Sequence, residues 1–150
     1  MASPEIHATL SASSSHRWLN CPPSATLAKQ FPSKTSEYAE RGRTAHAIAE
    51  LKATRFFHPN MLSAKSYSDQ LKKLKAGPWY ESVADSATDE YLDFLKEAAM
   101  DFTNAPFVAL ETRVDYSDIA PGGFGTADCI MIGDEVIHII DYKNGSAVPV

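Results

Sequence analysis

The run Phe124–Lys143, FGTADCIMIGDEVIHIIDYK, decides the fold. Its apolar residues come in two blocks, Cys129–Ile132 and Val136–Ile140, on either side of Gly133-Asp134. Gly-Asp between two β-branched runs is a two-residue hairpin signal. The spacing therefore predicts strands over 124–132 and 135–142, joined at Gly133-Asp134, with Ile132 facing Glu135. Upstream, Phe107–Asp115 (FVALETRVD) alternates with a period of two and reads as a preceding strand, with Gly122-Gly123 in the connection. Three consecutive strands with short links make an antiparallel meander.

Everything before Pro106 is helical in period. Ser36 to Phe56 carries an apolar stripe at Ala39, Ala45, Ile48, Ala49 and Leu51. Tyr67 to Lys75 is a lysine-rich helix stopped by Gly77-Pro78. A third helix runs from Trp79 or Ser82 to Phe102, with Val83, Ala87, Tyr91, Leu95 and Ala98 inward. Short helices are expected over His16–Leu19, after the Ser13-Ser14-Ser15 cap, and over Ala25–Phe31. Helices followed by a meander give an α+β class, or the start of an α/β fold, read as a single domain over 1–150.

Composition narrows the classes. The chain has 150 residues, 44% of them hydrophobic, and enough apolar material for a core. No apolar run is long enough to cross a membrane, and the N-terminus has no secretory core segment, so a cytoplasmic protein is expected. Two cysteines, Cys21 and Cys129, are too few for a disulfide scaffold or a four-thiolate cluster. Net charge is −5 but is unevenly spread. Residues 1–75 hold 11 Lys/Arg against 5 Asp/Glu, or +6; residues 76–150 hold 3 against 14, or −11. The acidic half would repel a polyanion unless cations or the basic half screened it.

The acids of the second half are not scattered. Asp141 and Lys143 are two apart, so they leave one face of their strand, shared with Ile137 and Ile139. On Asp141-Tyr142-Lys143 alone, a wet strand end is the simpler reading. Asp128, a lone acid before Cys129-Ile130-Met131-Ile132, changes this, because the expected register sets it near Ile139, a short step from Asp141. Two carboxylates on adjacent strands suit a hard divalent cation. A nearby ammonium could orient an attacking water or stabilise developing phosphorane charge. Glu111, between Leu110 and Thr112, is a possible additional acid, with an exposed strand residue an equal alternative.

Gly125-Thr126-Ala127-Asp128 followed by Asp141-Tyr142-Lys143 resembles the core of the PD-(D/E)XK nuclease superfamily. Upstream, Arg41-Gly42-Arg43-Thr44-Ala45-His46-Ala47-Ile48-Ala49-Glu50 looks like the Gly-x-x-x-His-x-x-x-Glu helix of its RecB-like branch. The segment Leu10–Ala25 is similar to the N-terminal signature of phage and prophage RecB-like exonucleases, which are commonly encoded near single-strand annealing proteins. The resemblance implies a partial restriction-endonuclease-like core and Mg²⁺-dependent hydrolysis of DNA, with Mn²⁺ as a substitute. His46, Asp128, Asp141 and the Tyr142 carbonyl would hold the metal. Lys143 would position the water, and Glu50 would support the site. DNA would be the partner, with an annealing protein beside it, in a bacterial host cytoplasm. Arg17, Lys29, Arg41 and Arg43 would contact phosphates, which positions a strand without reading its sequence. Trp18 could stack on a base, with a core role the more ordinary one.

The same resemblance marks a departure. Relatives continue past Asp-x-Lys to a helix bearing Gln-x-x-x-Tyr and to later strands, whereas this sequence ends at Val150. Cluster-bearing relatives carry further cysteines, so no iron–sulfur cluster is expected. Three functions therefore compete: a metal-dependent exonuclease; an inactive chain of the same ancestry that binds DNA or a protein; and a structural α+β protein whose acids are merely solvated.

Overall fold

A computed structural model describes residues 8–31 and 36–143. A single 3-10 turn, Ala12–Ser14, precedes α1 (Ser15–Asn20), α2 (Pro23–Ala28), α3 (Glu37–Phe57), α4 (Ala64–Lys75) and α5 (Val83–Met100). Then come β1 (Phe107–Asp115), β2 (Phe124–Gly133) and β3 (Val136–Ile140), in one antiparallel sheet of order β1-β2-β3. This is the α+β layout expected from the change of period at Pro106. The chain forms two compact units: residues 1–34 with 112–127, and residues 35–111 with 128–150. The terminal stretch from Asn144 lies outside the described residues.

In the smaller unit, aromatic side chains tie down the N-terminal segment. Trp18 Nε1 donates to the Ser11 carbonyl at 2.9 Å, which gives Trp18 a structural hydrogen bond. The Tyr116 hydroxyl reaches the carbonyls of Leu10 at 3.0 Å and Phe124 at 3.2 Å. Gly123 is required beneath that ring, because a Cβ there would stand 2.4 Å from Tyr116 Cε2. The Arg113 guanidinium lies 3.9 Å over the Phe124 ring.

The larger unit is built on α3 and α5. Ser36 Oγ caps α3 by accepting from Ala39 N–H, and Ser63 Oγ caps α4 by accepting from Ser66 N–H. Ala45, Ile48, Ala49 and Leu51 of α3 are buried as their spacing predicts, whereas Ala39 is exposed. The buried side of α5 runs through Ala84, Thr88, Leu95 and Ala98, and Val83 points outward. The apolar stripe misplaces the start of this face because polar Thr88 belongs to it. Thr88 Oγ1 donates to the Ala84 carbonyl at 2.6 Å and accepts from Lys52 Nζ at 2.8 Å. Lys52, itself buried, also donates to Asp89 Oδ1 at 2.6 Å and to the Asp85 carbonyl at 3.1 Å. Its three protons are thus used, as a buried ammonium requires.

Ala53, Leu95, Ala98, Phe102, Val108, Cys129 and Met131 form the main core. Ala45, Ala49, Ala84 and Tyr142 form a second cluster. Ile140 and Tyr142 therefore face inward. Ile137 and Ile139, on the alternate side of β3, are 61% and 69% exposed. The face they share with Asp141 is the wet one.

The β2–β3 hairpin differs from the expected register. Gly133 pairs with Val136 and Ile132 with Ile137, so the turn residues are Asp134-Glu135 instead of Gly133-Asp134. Both turn residues have positive φ, 48° and 62°, as a tight hairpin of matching twist demands. The glycine serves packing: a Cβ at Gly133 would lie 2.9 Å from Phe102 Cδ1. Asp134 fixes the turn by accepting from Thr103 N–H through Oδ2. A shift of two residues preserves the faces of the strands. It does move Asp128: continued one step past Cys129↔Ile140, the ladder sets Asp128 opposite Asp141, not Ile139.

Candidate metal centre

Three elements of the larger unit deliver ligand atoms to one place. His46 comes from α3, Glu111 from β1 and Asp128 from β2, and one ligand atom of each lies within 4.8 Å of the others. His46 Nδ1 is 3.5 Å from Asp128 Oδ2. Ligand atoms cis to one another on a Mg²⁺ ion stand about 3 Å apart, so the His46 and Asp128 atoms are already close to that spacing. One imidazole with two carboxylates, and Asp141 beside them, is an oxygen-rich set suited to Mg²⁺ or Mn²⁺.

Tyr142 orients two of these groups. Its backbone N–H donates to Asp128 Oδ2 at 2.6 Å. Its ring meets His46 edge-on, with centroids 5.0 Å apart, and packs at 4.9 Å against Tyr91 of α5. The Tyr91 and Tyr142 hydroxyls are buried without a hydrogen-bond partner among the described residues. Burial, with the charges of Cys129, Asp128, Glu111 and Asp141 behind it, raises the Tyr91 phenol well above its ordinary value. The Tyr142 carbonyl, which the resemblance assigns to the metal, belongs to the residue whose N–H holds Asp128.

Glu111, for which the sequence leaves an exposed strand residue an equal alternative, is one of the three residues of the cluster. Its φ is 46°, a left-handed backbone in the interior of a strand. Such a conformation costs on the order of 1–2 kcal/mol for a residue with a Cβ. Desolvation, and then the charges of Asp128, Glu50 and Asp141, push its carboxyl up to about 7. Glu111 is exposed over its side chain as a whole, but its carboxylate is the part crowded by acids. Like charges gathered this way are the arrangement a divalent cation relieves. Alternation in FVALETRVD could name this acid, but nothing in the sequence marks its backbone as unusual.

The remaining candidates sit around this centre. Glu50 is exposed and lines a groove of about 490 Å³ together with Gly42, Arg43, His46 and Glu111. Asp141 and Lys143 pair with each other at 2.6 Å, both largely exposed. Arg41 is held by Glu81 at 2.6 Å and Glu37 at 3.7 Å. Arg43 is held by Glu40 at 2.6 Å. A phosphate would compete with these exposed carboxylates for both arginines. Arg17 is in α1, and Lys29 follows α2, both in the smaller unit. Cys129 is buried in the core, and burial followed by the Asp128 charge pushes its thiol up to about 11, so it stays protonated. Cys21 is exposed on the smaller unit.

Residues 7–150 match the model of a family described as "Protein of unknown function (DUF2800)", and the chain belongs to that family. No solved structure matches it.

Proposed function

We propose that this DUF2800 protein is a metal-dependent DNA nuclease, an exonuclease of the phage recombination type, that hydrolyses phosphodiester bonds with a metal-activated water. The observation that carries this reading is the convergence of His46, Glu111 and Asp128 within 4.8 Å, with Asp141 next in register. The resemblance of 125–128 and 141–143 to the PD-(D/E)XK core supports it. His46, Glu111, Asp128 and Asp141 would hold Mg²⁺ or Mn²⁺. When bound, the ion would polarise the phosphate and supply hydroxide near neutral pH.

The chain's own groups then have distinct tasks. The Tyr142 N–H holds the Asp128 carboxylate in place, and the Tyr142 ring holds the His46 imidazole. Lys143, on the exposed rim and paired with Asp141, can exchange that carboxylate for an attacking water or a phosphate oxygen. Glu50 adds negative charge at the groove wall and raises the demand for a cation.

The test is degradation of linear DNA in Mg²⁺ or Mn²⁺. Asp128→Ala, Asp141→Ala and Lys143→Ala should each lose about 10²-fold or more in rate. Cleavage by wild type and all three variants at one rate would end the assignment. A second reading, a non-catalytic chain that binds DNA or a protein, is favoured by one feature: the outer side of β3, where Ile137 and Ile139 are open. It would be preferred if wild type cut nothing while Mn²⁺ still stabilised its fold.

A further inference from the structure

A second cavity, of about 540 Å³, adjoins the groove of the metal centre. Ala47 and Glu50 of α3 line both, so one helical ridge separates them. The cavity's walls are apolar, with Leu51, Leu62, Leu74 and Trp79 among them. Gln70 and Lys73 of α4 supply an amide and an ammonium at its edge. Both are exposed, and Lys73 has no ion-pair partner among the described residues. Its volume is in the range of ligand pockets.

We propose that this cavity receives an unpaired nucleobase of the DNA strand whose phosphate lies at the metal centre. The identity of that strand rests on the nuclease reading; the chemistry of the cavity does not. A phosphate entering past Glu50 would be repelled, whereas a base is uncharged and presents flat faces to an indole and leucines. Gln70, whose Nε2 donates to Ser66 Oγ at 2.9 Å, keeps a second N–H and its carbonyl for a base edge, and Lys73 can hold the neighbouring phosphate. A base paired within a duplex is already stacked and cannot enter, so the site selects single-stranded or frayed ends. An apolar protein segment would leave Lys73 without an anion and is the less suitable occupant.

The test reads binding without cleavage. Full-length protein carrying Trp18→Phe, which leaves Trp79 as the sole indole, is titrated in calcium with single-stranded oligothymidylate and with an abasic strand of equal length. The base-bearing strand should bind about tenfold tighter, within the worth of one stacked base, and should quench Trp79. In the parent protein, Trp79→Leu should abolish that preference, read by fluorescence anisotropy of labelled strands. Thr54→Phe, which fills the cavity from α3, should do the same if the loop variant folds poorly. Lys73→Ala should weaken both strands alike. Equal affinity for the two strands in wild type would overturn the proposal, as would a preference that survives both cavity variants. Quenching by a leucine-rich amphipathic peptide but by neither strand would overturn it in favour of a protein partner. A protein that discriminates bases yet cuts nothing would keep this site and end the hydrolase reading. One that cuts without discriminating would end this site alone.

Discussion

At the scale of single residues, Glu111 carries the largest consequence. Its folded value near 7 lies above the ordinary 4.5, so the native state holds a proton that the unfolded chain releases. Native protein then binds more protons than unfolded protein between those values, and stability falls as pH rises through that window. Glu111→Gln removes the penalty. Metal-free protein should gain on the order of 1 kcal/mol above pH 7, after discounting for the solvent that screens an exposed group. That is about 2–4 °C in melting temperature for a chain of this size. The gain should vanish near the ordinary glutamate value, and, on the proposed metal reading, Mn²⁺ should stabilise the wild type and stabilise this variant far less. Melting curves across pH, with and without Mn²⁺, check both signs. Asp128 and His46 were legible as candidates because motif and order mark them. Glu111 stood out less, because its importance comes from a backbone twist that no side-chain pattern encodes.

At the scale of elements, the β2–β3 hairpin shows where sequence reading holds and where it slips. Two apolar blocks around a polar break fix two strands and a two-residue link. They do not say which pair of Gly133, Asp134 and Glu135 forms the turn. Local preference favours glycine in the left-handed turn, but Phe102, distant in sequence, claims the space where a Gly133 side chain would stand. Tertiary packing wins and leaves Glu135 at φ 62°. Glu135→Gly should therefore stabilise the protein by about 1 kcal/mol, because Asp-Gly fits this turn without strain. Gly133→Ala should destabilise it by a similar or larger amount through the Phe102 contact. Thermal denaturation of the two variants separates the cases, and the opposite ranking would restore Gly133-Asp134 as the turn.

At the scale of the whole molecule, helix-then-meander order and the class of fold follow from where hydrophobic period changes, at Pro106. Division into two compact units does not, because both units mix early and late segments, and mixing of that kind leaves no composition boundary. Nor does the role of Lys52, which reads as one solvated cation among the 11 basic residues of the first half. It is instead the buried link between α3 and α5. Lys52→Met should change global stability little, since a well-packed apolar side chain often replaces a buried ion at no net cost. On the proposed metal reading, it should still reduce the melting-temperature rise expected with Mn²⁺. Unchanged stabilisation by the ion in that variant would sever the link between Lys52 and the metal centre.

The reason lies in where that link sits on the helix. Ala45, Ile48, Ala49 and Ala53 of α3 are buried, as are Ala84, Leu95 and Ala98 of α5. The Lys52 ammonium, with three acceptors all on α5, pins one helix to the other at a single axial position. Six residues along the same helix, about 9 Å away, sits the His46 imidazole of the candidate site. The axial setting of the helix that carries His46 is thus held by a lysine outside the cluster of His46, Glu111 and Asp128.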